Sequence, residues 1–151
     1  MHPLLVPAAW LLDGNYFPAG KSAHRVTGVT HVHAADEFPE TLRVEGEVRD
    51  ADDTESRPVL TTFHLDVVSR RAVRFRMDSI PLATVLTGQG FFDDYALVLH
   101  YASPDQRIAG FESYVACGAN EMRTTGVLVA DGVRVTSWHA RLERVVGRQG
   151  R

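Results

Sequence analysis

The sequence predicts an all-β protein, a single antiparallel β-barrel of about eight strands with a short N-terminal helical segment, occupying residues 1–151 as one domain. Three observations predict it. Apolar residues recur at every second position through most of the chain, as in strands with one buried face. Turn-forming clusters interrupt these runs at short, regular spacing. Segments with a helical period are few and short, which disfavours alternating β and α units. With 151 residues the chain is long enough for one full core.

In chain order, the N-terminal apolar segment 1–20 has a short helical candidate at residues 4–12, bounded by Pro3 and Pro7. "RVTGVTHVH" sets Val26, Gly28, Thr30 and Val32 against Arg25, Thr27, Val29, His31 and His33. "TLRVEGEVR" sets Leu42, Val44, Gly46 and Val48 against Arg43, Glu45, Glu47 and Arg49. The acidic stretch 50–56, "DADDTES", reads as a mobile hairpin tip. "VLTTFHLDVV" places Val59, Thr61, Phe63, Leu65 and Val67 on one side, and "RAVRFRM" does the same with Val73, Phe75 and Met77. Residues 79–95 combine two glycines with Phe91 and Phe92, as a further strand or as a lid over one end. "PLATVLTG" within them is the second short helical candidate. Strands follow at 95–102, 107–117, 121–130 and 133–145, separated by "SPDQ", "CGAN" and the hairpin pair Asp131-Gly132.

Charge and composition exclude several classes. A formal net charge of -3 and the lack of a basic run give no footprint for nucleic acid. Cys117 is the sole cysteine, so no internal disulfide forms, and a buried inert thiol is expected. The N-terminal segment has no Lys/Arg n-region and is too short to span a bilayer, so a cytoplasmic protein without a membrane partner is expected. Lys21 is the one lysine among 16 basic residues, an arginine bias that points to a high-GC bacterial source. No Gly-x-Ser-x-Gly elbow or phosphate-binding glycine loop occurs.

An eight-stranded barrel has an interior that side chains fill or that holds one small ligand. In "VRVTSWHARLERV", Val133 and Val135 have one parity and Trp138, Ala140 and Leu142 the other. A bulge near Thr136 and Ser137 brings both sets inward and aims Trp138 into the barrel. Tyr101 follows Leu97 and Leu99 on one face. Tyr101 and Trp138 are therefore the candidate catalytic residues, and Phe75, Met77, Phe111, Tyr114 and Met122 the candidate substrate-binding lining. The faces of Glu112 and Tyr114 stay open, because "IAGFESYVAC" is apolar on both parities.

In its apolar N-terminal segment, strand run and length, the chain resembles the calycin group, the lipocalin and fatty-acid-binding barrels. "AAWLLDGNYF" is loosely similar to the Gly-x-Trp motif of lipocalins. The resemblance implies a barrel with an internal ligand. "HVHAADE", with His31, His33 and Glu37, resembles the first cupin motif, which implies iron, manganese, nickel or zinc on these residues. The alternation turns the His31 and His33 face towards solvent, so no metal and no cofactor are expected.

Two functions fit these features. One is a cofactor-independent cyclase or isomerase of secondary metabolism, acting on an apolar, oxygenated molecule folded inside the barrel. The other is a barrel that binds a small apolar ligand without changing it, and a cupin-like metal enzyme ranks third. The strands at 95–101 and 108–117, apolar on both faces, also suit a homodimer.

Overall fold

Pro3 starts the chain on a single 3₁₀ turn, Pro3–Leu5, capped by His2, whose Nδ1 accepts from Leu4 N at 3.2 Å. The predicted helix over 4–12 goes no further. Residues 8–18 extend instead, because Trp10, Leu12 and Gly14 face inward while Leu11 and Asp13 face water, and both edges find partners. In the computed structural model, which describes residues 1–35, 38–79 and 82–147, ten antiparallel strands close into one barrel.

The strands are β1 Ala8–Pro18, β2 His24–Ala35, β3 Phe38–Asp50, β4 Val59–Val67 and β5 Ala72–Ser79. They continue as β6 Thr84–Phe92, β7 Ala96–Ala102, β8 Ile108–Ala116, β9 Glu121–Ala130 and β10 Val133–Arg144. Each pairs with its sequence neighbour, and β1 also pairs with β10, so no edge stays open. The eight expected strands are all present, and β1 and β6 raise the count to ten. Within the stretch 79–95, expected as a further strand or a lid with a short helix in "PLATVLTG", residues 84–92 form a wall strand hydrogen-bonded to both β5 and β7. Its β-branched Thr84, Val85 and Thr87, with Gly88 and Gly90, favour this over a helix. Asp131 (φ 51°) and Gly132 (φ 77°) make the two-residue turn between β9 and β10.

Alternation along the ten strands divides the interior into two halves. In one half Trp10, Val44, Leu65, Val73, Leu97, Leu99, Met122 and Leu142 are almost fully buried, and Leu4 and Leu5 join them from the 3₁₀ turn. Towards the other end, inward-facing Leu12, Thr30, Val48, Thr61, Met77, Glu112, Tyr114, Leu128 and Trp138 all keep partial exposure. Side chains directed into a closed barrel reach water only through the lumen. Leu86 and Thr136 at the same end are buried, so this half is packed in places and partly open in others; we call it the cup, and its rim lies at the β3–β4, β7–β8 and β9–β10 connections. Among the described residues, no helix is long and apolar enough to cross a membrane.

Candidate functional site

The cup is built around Glu112. On β8, Gly110, Glu112 and Tyr114 share the inward parity, and β7 presents Tyr101 beside them through the Tyr101–Gly110 register. Tyr101 Oη donates to Glu112 Oε1 at 2.7 Å and Tyr114 Oη donates to Glu112 Oε2 at 2.9 Å. A glycine makes the first contact possible: a methyl group on Gly110 would overlap the Tyr101 ring. The other ring face stacks on Phe75, with centroids 4.4 Å apart. Tyr101 is 2% exposed, which fixes its phenol in one direction.

Trp138 has the same relation to β9. The register shift falls between Arg134 and Thr136, so Thr136, Trp138, Ala140 and Leu142 all turn inward. The indole lies flat over Gly126, whose other neighbour in the ladder is Glu112. The expected bulge thus exists, one residue earlier than its sequence signal, but it does not bring both sets inward: Val133 and Val135 stay 68% and 41% exposed. Thr124, cross-strand from Tyr114, is 6% exposed, and its hydroxyl interacts with that of Tyr114, short of full hydrogen-bond geometry.

Burial dominates the electrostatics. Desolvation raises the Glu112 carboxyl above the usual 4.5, against the opposing effect of the two phenol hydrogen bonds. Among the described residues, no cationic side chain contributes to holding its charge. Tyr101 and Tyr114 are pushed far above the ordinary phenol range, first by burial and then by the Glu112 charge beside them. Both phenols stay protonated and donate.

The predicted site residues divide accordingly. Tyr101, Tyr114 and Trp138 converge on the cup, and Met77 faces inward on β5. Phe75 supports Tyr101 from the packed core, and Met122 lies fully buried in that core. Phe111 does not line the interior: it is 46% exposed on the outer wall, because Gly110 and Glu112 take the inward parity of β8. Glu112 is the site residue that sequence reasoning misses, although its i, i+2 spacing to Tyr114 puts both on one face whichever way that face turns.

The histidines lie outside the cup. Val32 points inward at 3% exposure, so His31 and His33 lie on the outer wall with rings stacked at 5.9 Å, and His33 Nε2 is 3.3 Å from Glu45 Oε2. Glu37, the third residue of the cupin-like motif, lies outside the described residues. Among those described, no three His, Cys, Asp or Glu side chains gather as a metal site. His64 and His100 also face outward, and Cys117 is exposed in the β8–β9 turn rather than buried. Two open grooves mark the outer wall. One of about 440 Å³ includes Asp13, Arg123 and His139, and one of about 710 Å³ includes Asp66, Arg74 and His100.

No family model and no curated protein matches the chain. Solved structures do. The S-type phycobiliprotein lyase CPES from Guillardia theta superposes with a TM-score of 0.71 at 14% identity, over 97% of this chain and 92% of that one. Rv2717c from M. tuberculosis gives 0.70 at 15% identity, over 95% and 94%. A DUF3598-family protein of unknown function from Nostoc punctiforme gives 0.61 at 13% identity, over 93% of this chain and 47% of that one. At such identities the likeness is one of fold: this chain has the small calycin-like barrel of these proteins.

Proposed function

We propose that the chain binds a small, largely apolar, oxygenated molecule in the cup and isomerises or cyclises it by proton transfer at Glu112, without a cofactor. One observation carries this reading: a carboxyl group, desolvated and gripped by two phenols, faces into a partly open lumen lined by Leu12, Met77, Leu128 and Trp138 together with Thr30 and Thr61. Raising a carboxyl towards neutrality turns it into a general base that can also return its proton.

In the first step, ionised Glu112 takes a proton from an activated C–H or O–H of the substrate. In the second it returns that proton at another position, so nothing is consumed. Tyr101 and Tyr114 act through Glu112 as positioning residues, steadying the carboxylate by two hydrogen bonds. Trp138 supplies a flat platform and an indole N–H for a substrate oxygen as charge develops there. Confinement of a folded substrate supplies further rate, since the reacting atoms are held near contact. An enzymatic use of the barrel finds support in the name of the Guillardia theta protein of the same fold, a phycobiliprotein lyase.

A second reading, binding without turnover, is favoured by one feature. Each Glu112 oxygen already accepts a phenol, so the cluster is internally satisfied. Incubation with apolar unsaturated ketones in deuterated water separates the two. Deuterium entering the carbon skeleton with wild type but not with Glu112→Gln supports proton transfer, and binding with no exchange in either leaves the carrier. Equal exchange in both removes Glu112 from the chemistry.

A further inference from the structure

The hydrogen-bonding inventory of the cup has a direction. Both phenol protons are spent on Glu112, so Tyr101 Oη and Tyr114 Oη present only lone pairs to anything that enters. The carboxylate oxygens have lone pairs to spare as well. Thr124 Oγ1, 6% exposed and beside the Tyr114 hydroxyl, adds another acceptor on the neighbouring strand. Five oxygens in one cluster thus offer lone pairs, whereas the Thr124 hydroxyl and the Trp138 indole are the donors beside them.

The charges facing the lumen have the same sense. On β2, β3 and β10 the inward charged or titratable groups are His24 and Asp50, paired at 3.2 Å on the rim, and Arg144, at the packed end and 6.0 Å from the centre of the Trp10 ring. β1, β4, β5, β6, β7 and β9 place no Asp, Glu, Lys, Arg or His inward among the described residues. Between rim and packed end, Glu112 is the one carboxylic acid among the described residues, and no cation among them answers it. A buried carboxylate without a counter-ion is costly. The aromatic faces of Tyr101, Tyr114 and Trp138 surround it, and such faces also attract cations.

We propose that the ligand of the cup carries a basic nitrogen: a protonated primary or secondary amine on an apolar or aromatic body, with Glu112 as its counter-ion and Thr124 Oγ1 as a second acceptor for its N–H groups. Fatty acids and other anions are excluded by the same carboxylate. The proposal rests on the reading that the cup is the binding site, and is independent of turnover there.

Three probes of one shape test it: 1-naphthylmethylamine, 1-naphthylmethanol and 1-naphthoate, each titrated calorimetrically into wild type, Glu112→Gln and Thr124→Val. The amine is expected to bind wild type at least about tenfold tighter than the alcohol, with the acid weakest. Glu112→Gln removes the preference of amine over alcohol, and its thermal melt shows separately that the variant folds. Thr124→Val narrows the preference without abolishing it. Amine affinity falls as pH drops through the raised Glu112 value, while alcohol affinity stays level. An alcohol or acid that equals the amine on wild type, or an amine preference that survives Glu112→Gln, overturns the proposal and leaves the cup as a site. No binding of any probe overturns the cup reading and this proposal together.

Discussion

Tyr101 and Glu112, on adjacent strands β7 and β8, meet phenol to carboxylate at 2.7 Å inside the barrel. Because Tyr114 holds the other oxygen and burial outweighs both bonds, the folded state keeps the Glu112 proton to higher pH than the unfolded chain does.

This sets the sign of a pH effect. Above the ordinary value of 4.5, the unfolded chain releases a proton that the native state retains, so ionisation favours unfolding. The Glu112 contribution is fully present below that value and declines as pH rises towards the raised folded one. Every tenfold gain in proton affinity on folding corresponds to about 1.4 kcal/mol. Denaturant titrations across pH, subtracting Glu112→Gln from wild type, should show this negative slope. A flat difference would mean Glu112 ionises normally.

A methyl group on Gly110 or Gly126 would overlap the Tyr101 or Trp138 ring and force it off the wall. Gly110→Ala and Gly126→Ala should each cost on the order of 1 to 3 kcal/mol. Gly126→Ala should also shift the emission of Trp138, which is absent from a Trp138→Phe control. Wild-type stability and unchanged fluorescence in both would mean the rings lie elsewhere.

Much of this arrangement was legible in the sequence, for physical reasons. Tyr101 shares its parity with Leu97 and Leu99, so its inward direction follows from the pleat. The change of parity along 133–142 revealed a bulge and with it the direction of Trp138. Glu112 was not legible as an inward group. An acid normally marks the wet face of a strand, and only Tyr101, contributed by a different strand, joins Tyr114 in making the inward position tenable. Strand β1 was hidden for a related reason. Its pairing with β10 joins the two ends of the chain, a contact no local pattern records.

The outward histidines should be dispensable. Replacing His31 and His33 together with alanine removes an exposed ring stack and one exposed contact with Glu45. Stability should stay within about 0.5 kcal/mol. Metal analysis of wild type and double variant checks the cupin-like alternative: stoichiometric metal lost from the variant alone would establish it.

At the packed end, His2 is buried with Nδ1 accepting from Leu4 N and Nε2 3.2 Å from Tyr114 O, so Nε2 carries the proton of the neutral ring. Burial lowers its value below 6.5, with the Tyr114 carbonyl and Asp93 opposing. The unfolded chain therefore gains a proton first on acidification, and native stability falls as pH drops below 6.5. His2→Asn keeps an acceptor for Leu4 N but does not titrate. Its stability between about pH 7 and 5 should fall less steeply than that of wild type, and parallel curves would refute this role.

The most direct test of the cup uses the strand opposite Glu112 in the ring, since β3 lies five places from β8 in the order of strands. Gly46 faces inward there, and a Cβ added to it would meet nothing nearer than Thr30 Oγ1 and the Thr61 carbonyl, both at 4.0 Å. A side chain can therefore grow into the lumen without striking the wall. Gly46→Leu should fold with stability within about 1 kcal/mol of wild type, because a strand glycine is itself a weak residue and leucine adds apolar contact. It should nonetheless lose ligand affinity by an order of magnitude or more, since its isobutyl group occupies space the ligand needs. Thermal melts and calorimetry with the naphthyl probes read the two effects separately. Undiminished binding in a stably folded Gly46→Leu would place the ligand outside the barrel, on one of the grooves of its outer wall.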